Sequence, residues 1–184
     1  MPAYTPILAT LGYIMSPDGA SVLMIHRNTR PDDLHYGKYN GLGGKLDGEL
    51  RAAFLVTKAV VPNMITRGYG RLVYLSTGLS RRPREGMITL GTAKAALDQF
   101  VRYVALEVAP HGITANLVAP ATVDETKVTE QLTTDQVHHL GATNPMGRLV
   151  RPDEVARTVA FLASDDSGFT TGHYLTINGG LSMD

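Results

Sequence analysis

The feature that most constrains the fold is a stripe of mainly apolar residues between positions 87 and 108. Its members are spaced alternately by three and four positions, which places their side chains on one face of an α-helix; they are Met87, Leu90, Lys94, Leu97, Val101, Val104 and Val108. Pro110 and Gly112 follow at once, and both residue types are common where helices end. Residues 113–118 are then mostly apolar and predict a strand closed by Pro120. The chain must therefore bury one long helix face beside a strand.

Predicted helices and strands also alternate through the rest of the chain after residue 49. Residues 50–66 predict a helix that Pro62 should kink or end. Residues 70–77 predict a buried strand, residues 121–150 a loop with a short helix, residues 152–163 a helix opened by Pro152, and residues 174–177 a last strand. This alternation predicts an α/β fold in which helices flank a parallel sheet.

The first part of the chain has a different pattern. Two apolar runs, residues 7–14 and 22–26, are separated by a turn-rich stretch at 16–19 and predict an antiparallel β-hairpin. No Pro/Gly/Ser-rich linker separates this hairpin from the alternating part. We therefore place a boundary near residue 48, with one unit at residues 1–48 and the other at residues 49–184.

Composition excludes several classes of protein. The 17 basic and 17 acidic residues give a net charge of zero, which argues against a broadly basic nucleic-acid binder. The chain has no Cys, and therefore no thiolate metal site or disulfide. No apolar run reaches the roughly 18 residues that a membrane span needs, and the first residues lack a signal peptide's basic region. We expect no membrane insertion and a cytoplasmic location. The adjacent His138 and His139 would point in different directions on a helix, so no metal site is expected.

Five ordered motifs carry a family resemblance. They lie at residues 70–77, 92–97, 111–120, 147–156 and 171–181, and the last ends in Asn178, Gly179, Gly180 and Leu181. From about residue 50 to its end the chain resembles the short-chain dehydrogenases/reductases. The resemblance implies a partial Rossmann-like sheet, NAD or NADP as cofactor, and a small carbonyl or alcohol substrate. It also implies a homo-oligomer formed through the helices at 50–66 and 87–109.

The same resemblance assigns candidate catalytic residues. In this family a Tyr protonates the carbonyl oxygen, a Lys one helical turn later lowers the pKa of that Tyr and holds the ribose, and a Ser at the preceding strand end orients the carbonyl. Lys94 matches the Lys and Thr77 falls at the Ser, but Leu90 occupies the usual Tyr position. Lys94 could also be a structural relic, and Thr77 an ordinary strand-end hydroxyl.

The cofactor contacts implied by the resemblance are Lys94, Pro120, Ala121 and Val123. Pro120 opens a loop that lies close to the nicotinamide in the family, where a Gly usually stands in place of Ala121. An ordinary strand-end loop is the alternative. The family's helix Asn, which holds a water of the proton relay, would fall at Glu49. Gly41, Gly43 and Gly44 resemble a dinucleotide-binding turn, but no clear strand precedes them, and we interpret them as a turn near the boundary.

Residues 5–49 resemble the start of a Nudix hydrolase. The residues that carry this likeness are the predicted hairpin, His26 with Arg27, and residues 37–46. The Arg and clustered Glu residues with which a Nudix helix holds Mg²⁺ do not follow. No metal site is therefore predicted here either.

The sequence as a whole predicts a chimera or remnant that resembles an NAD(P)-dependent short-chain oxidoreductase without its catalytic Tyr and with an incomplete cofactor site. Three alternatives stay open. They are an active NAD(P)-dependent carbonyl or alcohol oxidoreductase, a Nudix-type hydrolase of nucleoside diphosphate derivatives, and a non-catalytic scaffold that pairs with a complete reductase. The parallel sheet is also expected to expose the edge where a reductase's remaining strands would pair.

Overall fold

The structure is a computed structural model that describes residues 12–15, 22–23 and 46–183. Its strands are β1 (Gly12–Met15), β2 (Val22–Leu23), β3 (Gly70–Leu75), β4 (Ile113–Pro120) and β5 (Tyr174–Ile177). They form one sheet in the order β2-β1-β3-β4-β5. Strands β3, β4 and β5 are parallel, and β1 is antiparallel to both of its neighbours.

The helices flank this sheet. They are α1 (Leu46–Arg67), α2 (Ile88–Val108), α3 (Thr134–Ala142) and α4 (Pro152–Ala163), with short 3₁₀ turns at Gly78–Ser80, Ala109–His111 and Asp165–Ser167. One core cluster joins α1 and α2 to one side of the strands, and a smaller one joins α4 to the other side. The predicted α/β fold, a parallel sheet with flanking helices, is confirmed.

The stripe of mainly apolar residues between positions 87 and 108 forms the buried face of α2. Leu97, Val101, Val104 and Val108 are buried there. Its first two members are different, because Met87 is 40% exposed and Leu90 37% exposed. Gly112 follows the helix at φ 72°, in the left-handed region that favours glycine.

Pro62 does not end its helix, which was one of its two expected effects. Helix α1 continues through Pro62 to Arg67. Pro62 has no N–H to donate within the helix, but Val60, Val61 and Met64 pack against the core cluster on both sides of it. Packing of these neighbouring turns explains why the helix is not interrupted.

Strand β1 lies where the sequence predicted an uncovered sheet edge. Gly12 pairs with Tyr74 and Tyr13 with Val73, so β1 covers this part of β3. Of the two predicted N-terminal strands, the structure describes only residues 12–15 and 22–23, which pair antiparallel. Their connecting turn, the glycines at 41–44 and most of the Nudix-like segment lie outside the described residues. The predicted boundary near residue 48 falls within α1.

Among the described residues, no helix is both long and apolar enough to cross a membrane.

Candidate functional site

The candidate site lies at the carboxyl ends of β3 and β4. Leu75 pairs with Val118, and the Ser76 amide donates to the Val118 carbonyl at 2.8 Å. Parallel pairing therefore brings the hydroxyl residues after β3 next to Pro120 at the end of β4. In open α/β sheets this is the edge at which ligands bind.

Lys94 reaches this edge from α2. Its side chain is largely buried, with the residue 8% exposed, and Nζ donates to the Leu75 carbonyl at 2.7 Å. Leu90, one turn earlier on the same helix, has an apolar side chain with no proton to donate. The structure thus brings Lys94 to the end of β3.

Thr77 follows two residues after that carbonyl. Its backbone is extended, with φ −154° and ψ 153°, and it begins the 3₁₀ turn Gly78–Ser80. The Thr77 carbonyl accepts hydrogen bonds from the Tyr174 hydroxyl at 2.9 Å and from the Ser80 amide at 3.0 Å. The position of Thr77 is therefore held from β5 as well as from its own turn.

Asp98 is a buried carboxyl beside this segment that the sequence analysis missed. It lies four residues after Lys94 on α2 and is 7% exposed. Its two carboxylate oxygens accept from Ser76 Oγ and Ser80 Oγ, each at 2.7 Å. Burial raises the pKa of Asp98 above its ordinary value, although the two hydroxyls and the charges of Arg81 and Arg102 act in the opposite direction. The available signal was its place next to Leu97, on the apolar side of the helix.

The loop after β4 makes one hydrogen bond to β5 and an isolated bridge outside the sheet. Pro120 is the last residue of β4 and is buried. The Ala121 amide donates to the Ile177 carbonyl at 2.9 Å. Val123 forms a parallel bridge with Val150. The predicted cofactor contacts Pro120 and Ala121 thus lie at the carboxyl end of β4. Val123 instead pairs with Val150.

A cleft of about 360 Å³ lies beside the end of β5. Its lining residues are Met146, Arg148, Leu149, Val150, Glu154, Arg157, Thr158, Ile177 and Gly179. Arg148 binds Glu154 through two nitrogens, at 2.6 and 2.8 Å, and the Arg151 amide donates to the same carboxylate at 2.9 Å. These contacts, led by the hydrogen bond from Arg148, lower the pKa of Glu154 to about 2. Arg148 and Glu154 therefore neutralise each other.

The remaining sequence candidates can also be placed. His138 and His139 lie on α3 and are exposed. Within the described part of the chain, no three His, Asp or Glu side chains form a group that could hold a metal ion. Glu49 lies on α1, but the structure describes only its backbone.

Comparison with known proteins covers much of the chain. A family model described as Enoyl-(Acyl carrier protein) reductase matches residues 35–182, and so begins upstream of the predicted boundary. Acetoacetyl-CoA reductase of Cupriavidus necator is 38% identical over 138 residues, which are 75% of this chain and 56% of that protein. The 3-oxoacyl-[acyl-carrier-protein] reductase FabG of Pseudomonas aeruginosa is 31% identical over 179 residues, 96% of this chain and 72% of that protein.

Solved structures give the same relationship. The TT0495 protein of Thermus thermophilus superposes with a TM-score of 0.66 at 34% identity, over 72% of this chain and 56% of that one. YwfH, an NADPH-dependent reductase of bacilysin biosynthesis, superposes with a TM-score of 0.71 over 76% of this chain and 57% of that one, and at 23% identity it supports the fold alone. The chain spans little more than half the length of several of these relatives. The extent of the family match and the shared fold show that this chain belongs to the short-chain dehydrogenase/reductase family.

Proposed function

We propose that this chain is a remnant or chimera of a short-chain oxidoreductase that has an incomplete cofactor site and no catalytic Tyr, and that it does not transfer hydride by itself. The observation that carries the proposal is that Leu90, and not a Tyr, stands one helical turn before Lys94. The position one turn before Lys94 has no acid, and general acid catalysis is typically worth about 10²- to 10⁴-fold in rate.

The fit of NAD(P) to the described residues also supports this proposal. Lys94, the residue that would hold the ribose, already donates to the Leu75 carbonyl. The Ala121 amide at the strand edge already donates to Ile177. These residues could touch a nicotinamide nucleotide, but they do not make a complete cradle for one.

Calorimetric titration with NADH and NADPH tests the cofactor half of the proposal. The expected result is no binding with a micromolar or tighter Kd, which would correspond to about −8 kcal/mol. A complete relative, such as the Cupriavidus necator acetoacetyl-CoA reductase, is the positive control. Micromolar binding by this chain would overturn the incomplete-site proposal.

Two substitutions at one position test the acid half. Leu90→Tyr would place a phenol one turn from Lys94, and Leu90→Phe is the matched control with a ring but no hydroxyl. We expect neither variant to reduce acetoacetyl-CoA with NADPH. Reduction by Leu90→Tyr alone would show that the cofactor site is complete and that only the acid is missing.

An active NAD(P)-dependent carbonyl reductase is the second candidate. It is favoured by the presence of Lys94 and Thr77 at one strand edge and by the reductase names of the relatives. The discriminating assay is NADPH consumption by the unmodified chain with acetoacetyl-CoA and with small ketones. A rate that Lys94→Met abolishes would favour this candidate.

Self-association through α1 and α2 is part of the proposal. Phe54 and Leu55 on α1 are 50% and 45% exposed, and Tyr103 and Leu106 on α2 are 58% and 73% exposed. Tyr103 and Leu106 are three positions apart and share a helix face. An exposed apolar face of this kind is typical of an interface. Size-exclusion chromatography with light scattering tests it, and a monomer at all concentrations would contradict it.

A further inference from the structure

The segment that carries Thr77 is held by buried polar groups on both sides. Lys94 binds the Leu75 carbonyl, and Asp98, one turn later on α2, binds the hydroxyls of Ser76 and Ser80. Asp98 therefore contacts the residue before Thr77 and the residue that ends the following turn. It is the one carboxylate among the described residues that bonds to both sides of Thr77.

Strand β5 completes this arrangement with Tyr174. The Tyr174 hydroxyl donates to the Thr77 carbonyl at 2.9 Å and lies 3.2 Å from Ser80 Oγ. The guanidinium of Arg81 stacks over the Tyr174 ring at 3.8 Å from its centre. A continuous path of polar contacts thus runs from Asp98 through Ser80 and Tyr174 to Thr77.

The number of hydrogens on this path depends on the charge of Asp98. Each hydroxyl carries one hydrogen. When Asp98 is ionised, Ser80 gives its hydrogen to the carboxylate and Tyr174 gives its own to Thr77, so the contact between Ser80 and Tyr174 has none. When Asp98 is protonated, it donates to Ser80, Ser80 donates to Tyr174, and Tyr174 donates to the Thr77 carbonyl. Every contact on the path then has one hydrogen.

We propose that Asp98 is a positioning residue for Thr77, and that a proton on Asp98 completes a one-way hydrogen-bond chain through Ser80 and Tyr174 to the Thr77 carbonyl. The chain makes the geometry at the end of β3 depend on pH. Arg81 and Arg102 are the nearby cations that favour the ionised carboxylate, and burial opposes them. The role of this chain in the site rests on the proposed function, because it takes Thr77 as the hydroxyl of that site. The hydrogen-bond chain itself does not depend on the proposed function.

The first test follows the segment by NMR without cofactor or substrate. Amide shifts of residues 75–80 should titrate together with the Asp98 carboxyl carbon, at a pH above the ordinary Asp value of 3.8. In Asp98→Asn the side-chain N–H can donate to Ser80 as the protonated acid would. That variant should show the low-pH pattern of the wild type at every pH. Asp153→Asn, which alters an exposed carboxylate on α4, is the matched control and should leave the titration unchanged.

The second test removes the chain. Asp98→Leu should lower the hydrogen-exchange protection of the Ser80 amide about tenfold or more, because it removes the carboxylate that binds the Ser80 hydroxyl. Asp98→Asn should restore that protection. If Asp98→Leu does not fold, Tyr174→Phe is the substitute. It should abolish the pH response of the Thr77 carbonyl carbon and leave that of the Ser76 amide, because the Ser76 hydroxyl binds Asp98 directly.

Three results would overturn the proposal. They are a segment that does not titrate with Asp98, an Asp98→Asn variant that matches the high-pH wild type, and a Tyr174→Phe variant with the full wild-type response. Failure of the proposed function has a separate signature, because micromolar NADPH binding would leave all these NMR results unchanged.

Discussion

Replacing Gly112 by Ala should test the close approach of the turn after α2 to the Gly68 carbonyl. Gly112 joins the end of α2 to β4, and its φ is 72°. A Cβ at this position would lie 2.5 Å from the carbonyl oxygen of Gly68, at the turn between α1 and β3. This distance is well inside van der Waals contact, and the contacted atom belongs to the backbone. The substitution should therefore force the turn at Gly112 away from the turn at Gly68.

The chain offers a matched control for the backbone part of this effect. Gly147 also has φ 72°, but a Cβ there would meet no atom within 4 Å. Gly147→Ala should thus lower the unfolding free energy only by the cost of placing Ala in the left-handed region, about 1–2 kcal/mol. Gly112→Ala should lower the unfolding free energy by the same amount and by a further ~1–3 kcal/mol, because the added Cβ overpacks the contact with Gly68. The expected total for Gly112→Ala is about 2–5 kcal/mol of unfolding free energy.

Urea unfolding followed by circular dichroism measures both variants against the wild type, with the m-value as a check on two-state behaviour. In thermal melts each kcal/mol should lower Tm by about 2–4 °C for a chain of this size. Equal losses for Gly112→Ala and Gly147→Ala would refute the reasoning. That outcome would mean that the two turns separate freely and that the approach to Gly68 is not a constraint.

Four further results are expected. Leu162→Ala removes a side chain with 0% exposure and should lower the unfolding free energy by about 2–5 kcal/mol, and an unchanged urea midpoint would contradict the α4 core. The pKa of Glu154 is lowered to about 2. Ionised Glu154 therefore stabilises the fold fully above its ordinary pKa of 4.5, and this stabilisation is lost as pH falls through about 2. Glu154→Gln should flatten the pH dependence of stability over that range in acid melts. Burial raises the pKa of Tyr74 to about 12. The contribution of neutral Tyr74 to the unfolding free energy is therefore complete below pH 10 and lost as pH rises through 12. Tyr74→Phe should remove that alkaline loss of stability, and an ultraviolet titration in which Tyr74 ionises near 10 would contradict this prediction. Leu106→Glu on the exposed face of α2 should shift an oligomer to monomer in light scattering, whereas Glu107→Gln should not.

Local signals in the sequence were enough for several elements. Helix α4 spans Pro152–Ala163 and β5 spans Tyr174–Ile177, as predicted. Proline in the first turn of α4 and glycine after α2 act through their own φ preferences, which need no distant partner. The spacing of the α2 stripe likewise determines which residues share a face. These are properties of neighbouring residues, and a single sequence contains them.

The candidate site was only partly predictable for the same reason. The resemblance located Lys94 and Thr77, and the packing of α2 against the sheet brought Lys94 to the end of β3, close to Thr77. Asp98 was missed because its role depends on hydroxyls at Ser76 and Ser80, 22 and 18 positions away in sequence. No periodicity encodes a hydrogen bond between a helix and the turn before it.

The sequence by itself determined the family, the α/β class and the phase of the main helix. The tertiary structure decided the continuation of α1 through Pro62, the antiparallel pairing of β1 with β3, and the contact of Tyr174 with the Thr77 carbonyl. That last contact joins residues 97 positions apart. The physical reason is the range of the forces involved. Backbone preferences and side-chain phase act over a few residues, whereas burial and hydrogen bonding depend on which distant segments the folded chain brings together.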